Sequence, residues 1–168
     1  PSRARLSHVI WSAIGTFLGL YLISVLNQYI FVNASETIFL VGSFGDSAVL
    51  IYGVPQAELS QPRNLIGGHI FSAFIGITVY KYVPLEISLL SALAVSLSIV
   101  FMHFTRTLHP PGGATALIAV IGSSQIHELG YMFVITPIAT GAFILLISAL
   151  AVNNMSNNPN RHYPRYWR

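Results

Sequence analysis

The sequence predicts an all-α membrane protein with four transmembrane helices and two short broken or re-entrant helices, and three observations lead to this fold class. Hydrophobic residues make up 54% of the 168 residues and charged residues 8%, whereas a soluble domain has roughly 25% charged residues. Apolar stretches recur at about the 20-residue length that crosses a bilayer. Two further apolar segments, each interrupted by glycine or proline, are too short to cross alone. We therefore expect one membrane domain over residues 1–168.

The first half of the chain predicts two membrane spans on either side of a short helix. Residues 9–26 carry no charge and are long enough to cross the bilayer. Glycines and Asp46 interrupt the next apolar stretch, so that residues 45–53 predict only a short helix. The second span covers residues 65–80, in which small residues recur at every fourth position and predict close packing against a neighbouring helix.

The second half of the chain repeats this order. Residues 87–104 predict a third span, residues 111–122 a short helix, and residues 129–152 a fourth span that bends near Pro137. The chain thus contains two repeats of span, short helix and span. Short segments that are interrupted at corresponding places in two halves are typical of the binding site of a transporter. Parallel and inverted repeats both fit the sequence, and the distribution of lysine and arginine slightly favours parallel repeats.

Positive charge predicts the orientation of the chain in the membrane. Arginines cluster near both ends, so both termini are expected on the cytoplasmic side. The turn after Lys81 is expected on the same side. This arrangement would place Arg63 and Arg106 together on the opposite side of the membrane.

The most informative motif is HPPGGATAL at residues 109–117. Its two prolines fit the first turn of a helix, because proline lacks an N–H group and its ring clashes with a preceding turn. Gly112 and Gly113 leave the backbone of that turn sterically open, and the positive end of the helix dipole favours an anion. The motif therefore predicts a site for a small anion, and Gly45 starts a weaker counterpart in the first half.

Two arginines beside the short helices are the best candidate anion ligands. Arg63 and Arg106 present fixed N–H donors that suit a planar oxyanion. The alternative is that each arginine simply reaches the lipid headgroups. His109 could orient the following helix or contact the ligand. The predicted substrate-binding residues are Arg63, Arg106, His109, Gly112, Gly113, Thr115, Gly45 and Ser47.

Three ionisable residues inside apolar segments are candidates for proton coupling or ion pairing. Asp46 would repel a bound anion, so we expect it either to pair with an arginine or to take up a proton that enters with the anion. His69 and His103 could relay protons or bind the substrate. Hydrogen bonds between neighbouring helices explain these histidines equally well.

The sequence gives no sign of catalysis. It contains no cysteine and no catalytic or nucleotide-binding motif, and its few charges form no nucleic-acid patch. A metal site would need His69, His103 and His109 to converge without a pair of carboxylates, which we do not expect. We therefore predict that the protein is not an enzyme, has no cofactor or metal, and binds a small anion and membrane lipids. Its glycine spacings also suit a homo-oligomer.

Two motifs resemble those of a known family. With HPPGGATAL at residues 109–117 and QPRNLIGGH at residues 61–69, the chain resembles the HPP family of small integral membrane proteins, and the likeness covers nearly its whole length. The resemblance implies a four-span membrane domain and, from plastid and cyanobacterial members, transport of nitrite. It also implies a bacterial inner membrane or a plastid inner envelope, with both termini on the cytoplasmic or stromal side. In FGDSA at residues 44–48, Asp46 stands where the resemblance leads us to expect a small residue.

The sequence as a whole favours membrane transport of a small monovalent oxyanion, with nitrite as the first choice. In this hypothesis the anion binds at the starts of the two short helices with help from arginine. One alternative is a non-transporting membrane scaffold or subunit, in which the helix breaks serve packing alone. A less favoured alternative is a histidine-based membrane metalloenzyme. A channel and a carrier fit the sequence equally well.

Overall fold

The computed structural model describes residues 6–30 and 42–167, and the regular secondary structure within these ranges is helical. The predicted all-α class is therefore confirmed. Short 3₁₀ turns lie at Glu58–Ser60 and Pro159–Arg161. The helices are α1 Leu6–Ile30, α2 42–53, α3 Pro62–Tyr82, α4 Ile87–Thr105, α5 Pro110–Ile121, α6 Ser124–Leu129 and α7 Val134–Asn154.

Three of the described helices, α1, α4 and α7, are long and apolar enough to cross a membrane. The predicted bend in α7 is confirmed, because Thr136 has a non-helical backbone directly before Pro137. The polar segment directly before α7 contains the short helix α6, which the Ser123 side chain caps by accepting from the N–H of Gln125.

Helix α3 lies at the centre of the bundle and packs against α4, α5 and α7. Its small residues at every fourth position face α5. A Cβ atom at Gly68 would lie 2.4 Å from His109 Cβ, and one at Gly76 would lie 2.6 Å from Ala119 Cβ. The missing side chains therefore let the two helices approach closely.

The beginning of α1, the end of α2 and the start of α3 share one face of the bundle with the C-terminal tail. His8 Nε2 donates to the carbonyl of Gly53 at 3.0 Å. The hydroxyl of Tyr163 donates to the carbonyl of Ser60 at 2.8 Å, directly before α3. We call this side the terminal face. The turn face on the other side contains the end of α3 and α6, where the rings of Tyr80 and His127 stack 3.7 Å apart.

The predicted separation of the arginines from the chain ends is wrong. Arg63 lies near the start of α3, and its guanidinium donates to the carbonyl of Thr105 at the end of α4. Both arginines therefore lie on the terminal face, and Lys81 lies on the turn face. The physical reason is the course of α2, which ends at the terminal face, so that α3 and Arg63 start there. One of the C-terminal arginines that predicted the orientation, Arg161, is moreover fully buried and donates to Asn153 at 2.6 Å. Its charge holds helices together and carries no signal about orientation. The assignment of the terminal face to the cytoplasm or stroma stays a prediction.

The two short helices run in opposite directions from a common level inside the bundle. Helix α2 starts near Ser43, whose Oγ lies 3.2 Å from the carbonyl oxygen of Pro111, and it ends at the terminal face. Helix α5 starts at Pro110 and ends at the turn face beside the last turns of α3. Opposite directions are the arrangement expected of inverted repeats, whereas the distribution of lysine and arginine slightly favoured parallel ones.

Candidate functional site

A cluster of five polar side chains is buried where α2 and α5 begin and α3 passes between them. Each member has at most 2% of its surface exposed. Buried polar groups are stable only when they find hydrogen-bond partners. The members of this polar cluster are Ser43 and Ser47 of α2, His69 of α3, His109 before α5 and Thr115 of α5.

Ser47 lies at the centre of the polar cluster, between two histidines. Its Oγ is 2.8 Å from Nε2 of His69 and also 2.8 Å from Nε2 of His109. The two imidazole rings stand edge to face with centroids 5.2 Å apart. One serine hydroxyl thus connects α2 with α3 and with the residue that starts α5.

The remaining contacts close the cluster. Thr115 Oγ1 lies 2.8 Å from Nδ1 of His69 and 2.8 Å from Oγ of Ser43. On the far side of the cluster, Nδ1 of His109 donates to the carbonyl of Leu59 at 2.9 Å. The ring of Phe44 covers His69 at a centroid distance of 4.8 Å. All four ring nitrogens of the two histidines therefore have a protein partner.

The prolines and glycines of the 109–117 motif place this cluster. Helix α5 starts at Pro110, as predicted, and Gly112 donates its N–H to the carbonyl of His109 at 2.8 Å. A Cβ atom at Gly112 would lie 2.7 Å from the carbonyl oxygen of Gly68 and 2.8 Å from Ser72 Oγ. The glycine therefore allows α5 to contact α3 directly, and its predicted part in anion binding stays a prediction. Gly113 is in ordinary contact with Val95 at 3.7 Å.

A second polar site lies at the terminal face and contains both predicted arginines. A pocket of about 470 Å³ is lined by Glu58, Arg63, Asn64, Arg106 and Tyr166. We call it the arginine pocket. Arg106 reaches it because α4 ends in a left-handed turn at this residue, with φ 54°. Arg63 projects from the first turn of α3.

The arginine pocket adjoins the polar cluster through the chain segment before α5. A neighbouring pocket of about 250 Å³ shares Glu58, Asn64 and Arg106 with it and is also lined by Leu59, Met102, His103 and Leu108. The side-chain amide of Asn64 donates to the carbonyl of Leu108 at 2.7 Å and fixes this segment. The carbonyl of Leu59 accepts from His109. Leu59 therefore lies between the buried histidines and the pocket that contains Arg106.

Asp46 lies apart from both arginines. It is exposed and lines a pocket of about 300 Å³ with Val49, Leu50, Pro110 and Pro111. The predicted pairing of Asp46 with an arginine is therefore not seen, since Arg63 and Arg106 line a different pocket. Gly45 beside it has open space where a Cβ atom would be.

The structure brings together four of the predicted residues and separates the others. Ser47, His69, His109 and Thr115 meet in the polar cluster, whereas His103 is exposed and lines the smaller pocket with Arg106. Sequence reasoning missed Ser43. Its position one helical turn before Ser47 was the available signal. Among the described residues, no three His, Cys, Asp or Glu side chains are placed to hold a metal ion.

Comparison with known proteins identifies the family. The model of the HPP transmembrane region matches residues 1–164. This chain belongs to the HPP family. Two transmembrane proteins of Dictyostelium discoideum are 45% and 44% identical to it over 99% of its length. The HPP chain covers 53% and 58% of these relatives, so it spans about half their length. No solved structure matches it.

Proposed function

We propose that this HPP domain transports a small monovalent oxyanion across a membrane and that nitrite is its substrate. The observation that carries the proposal is the meeting of α2 and α5, two half-length helices that start against each other inside the bundle and run in opposite directions. Transporters build their sites from such interrupted helices at the interface of inverted repeats. A bundle with this construction is suited to alternating access around a central site.

The same geometry supports the membrane arrangement that we propose. Helices α1, α3, α4 and α7 cross the bilayer, and α2 and α5 each enter it halfway. Helix α3 crosses although it is less apolar than α1, α4 and α7, because the bundle buries its polar residues, including Asn64, His69 and Ser72. The two inverted repeats are then α1–α2–α3 and α4–α5–α7.

The arginine pocket is the proposed point at which the anion binds. Its two arginines and one glutamate leave a net charge of +1 at this end of the bundle. Guanidinium groups donate in a fixed plane that matches the oxygens of a small oxyanion. The carbonyl of Thr105 holds one end of the Arg63 guanidinium and leaves its other donors for a ligand. The pocket supports a small anion, and the family resemblance selects nitrite.

A second candidate function is that of a membrane scaffold or subunit without transport. The polar cluster favours it, because its histidines, serines and threonine are hydrogen-bonded to other protein groups. Such a closed network would tie α2, α3 and α5 together without any ligand.

Nitrite uptake into proteoliposomes separates these two candidates. We expect the wild-type protein to raise uptake above protein-free liposomes, and Arg63→Ala and Arg106→Ala each to lower it by about threefold or more, as expected for loss of a partly exposed charge. Lys81→Ala, which removes an exposed cation at the turn face, should leave uptake unchanged. Unchanged uptake in both arginine variants would reject the site. Wild-type uptake equal to that of empty liposomes would reject transport and favour the scaffold.

A further inference from the structure

The hydrogen bonds of the polar cluster have one defined direction, and the carbonyl of Leu59 sets it. A carbonyl oxygen only accepts, so His109 Nδ1, 2.9 Å away, carries a proton and donates it. His109 is fully buried without an acidic member in the cluster, and we therefore assign it as neutral. Its Nε2 then has a free lone pair and accepts the hydroxyl proton of Ser47 at 2.8 Å.

Each further contact follows from the one before it. The Ser47 hydroxyl already donates its hydrogen bond to His109. Its 2.8 Å contact with His69 therefore requires Nε2 of His69 to donate. In neutral His69, Nδ1 then accepts from the hydroxyl of Thr115 at 2.8 Å. Thr115 Oγ1 in turn accepts from Ser43 at 2.8 Å, which is the shorter of the two contacts open to the Ser43 hydroxyl, the other being the Pro111 carbonyl at 3.2 Å. The five side chains thus form an unbroken chain of donors that runs from Ser43 to His109.

We propose that this donor chain conducts a proton through the middle of the bundle together with the transported anion. The inference rests on the transport function proposed above and gives that transport its coupling ion. Hydroxyl and imidazole groups suit the task, because each can accept a proton on one side and release another on the other side.

The two ends of the donor chain lie beside the pockets. At the His109 end, the accepting Leu59 lines the pocket that contains His103 and Arg106. At the other end, Ser43 contacts Pro111, which lines the pocket that contains Asp46. Ionisable side chains are thus available at both ends to exchange protons with the chain.

The charged and titratable groups around the donor chain come from few elements. They are Asp46 of α2, Glu58 in the turn before α3, Arg63 of α3, and His103 and Arg106 at the end of α4. Helices α5 and α7 contain no ionisable side chain. The excess of arginine over acid near the His109 end favours an anion there, and that anion would balance the charge of an arriving proton.

The proposed step moves one proton and no electrons. A proton binds to Ser43 Oγ while the hydroxyl proton of Ser43 passes to Thr115, and each following group likewise gains one proton and gives one up. His109 Nε2 receives the proton of Ser47, and the resulting imidazolium releases its Nδ1 proton to water in the pocket beside Leu59, where the His103 imidazole is available to bind it. The hydroxyls and both imidazoles then have reversed donor roles and must return before the next proton passes.

The test measures protons and nitrite in the same vesicles. Proteoliposomes contain the pH dye pyranine, and potassium with valinomycin clamps the membrane potential. After nitrite is added outside, we expect wild-type vesicles to acidify in step with nitrite uptake, above the baseline of nitrous acid permeation in protein-free liposomes. Ser47→Ala and His109→Gln interrupt the donor chain and should lower the ratio of protons to nitrite by about tenfold or more.

A matched control and an isosteric pair keep the result interpretable. Ser98 is also buried but donates within its own helix to the carbonyl of Ala94 at 2.8 Å, so Ser98→Ala should retain the wild-type ratio. Ser47→Ala leaves two buried ring nitrogens unpaired and can therefore lower stability. A comparison of Thr115→Val with Thr115→Ser disturbs the fold less. The valine lacks the hydroxyl and should lose proton coupling, whereas the serine should keep it.

Four outcomes would overturn the proposal. A wild-type proton-to-nitrite ratio in Ser47→Ala and His109→Gln would show that the donor chain carries no proton. Equal proton-to-nitrite ratios in Thr115→Val and Thr115→Ser would show that the Thr115 hydroxyl carries no proton. Nitrite uptake without acidification in the wild type would reject proton coupling and leave transport standing, whereas no uptake above the baseline would reject both proposals.

Discussion

Ser47 Oγ and His109 Nε2 lie 2.8 Å apart although 62 residues separate them in the chain. Ser47 belongs to the short helix α2, and His109 directly precedes the short helix α5. Their hydrogen bond therefore joins the two short helices at the level where both begin. Because both side chains are fully buried, loss of either partner would leave the other without water to replace it.

Close packing of α5 on α3 predicts a large difference between two glycine substitutions. Gly112→Ala would place a Cβ atom 2.7 Å from the carbonyl oxygen of Gly68, which is backbone and cannot turn away. We expect it to lower stability by about 1–3 kcal/mol. Gly45→Ala has open space and lies in a helix, so it should leave stability unchanged or raise it by up to about 1 kcal/mol. Thermal unfolding in detergent measures both. Equal loss in the two variants would contradict the packing role of Gly112.

Burial of Arg161 predicts that the C-terminal tail stabilises the bundle. Arg161 donates to Ser12 of α1 at 2.9 Å and to Asn153 of α7 at 2.6 Å. Arg161→Gln should lower stability by about 2 kcal/mol, because it leaves buried acceptors on both helices unpaired. Arg165→Gln changes an exposed side chain of the same tail and is the control. Equal thermal midpoints for the two variants in detergent would show that the buried arginine does not stabilise the bundle.

The helices themselves could be predicted from the sequence, because their signals are local. Proline at the first turn predicts the start of α5, and apolar length predicts α1, α4 and most of α7. Small residues at every fourth position of α3 predicted a close neighbour, and α5 is that neighbour. The sequence predicted each member of one group of site residues but not their contacts with one another, because those contacts depend on helix directions. These residues are Ser47, His69, His109 and Thr115.

Helix directions could not be predicted, because they depend on tertiary burial. The sequence shows Arg161 as a cation beyond the last span, which is the usual signal of a membrane interface. Only the structure shows that His8, Ser12 and Asn153 enclose it. For the same reason the sequence did not show that Gly112 packs against the backbone of Gly68.

The cap of α4 predicts a pH-dependent contribution to stability. Glu86 accepts from the N–H groups of Ser88 at 2.9 Å and Leu89 at 2.8 Å. These hydrogen bonds, that of Ser88 first, hold the pKa of Glu86 below its ordinary value. The stability that the Glu86 carboxylate contributes is therefore complete above the ordinary glutamate pKa. It is lost as the pH falls through the lowered pKa of Glu86.

Replacement of this cap tests the sign of the effect. Glu86→Ala should lower the thermal midpoint at neutral pH, and the difference from wild type should vanish in acid, where the wild-type carboxylate is protonated. Glu128→Ala removes another exposed glutamate and controls for net charge. A difference that stays constant across the pH range would contradict capping by the ionised carboxylate.

Glu58 in the arginine pocket predicts a gain of function. Its carboxylate opposes the attraction of Arg63 and Arg106 for an anion, since all three line the same pocket. Glu58→Gln raises the net charge of the pocket and should lower the nitrite concentration for half-maximal uptake by up to about fivefold, the range of partly exposed charge pairs. Because such charges are screened, the gain should shrink as salt is added. Glu128→Gln makes the same change near the turn face and should leave the nitrite concentration for half-maximal uptake unchanged. An equal gain in both variants would mean that surface charge, and not the arginine pocket, attracts the anion.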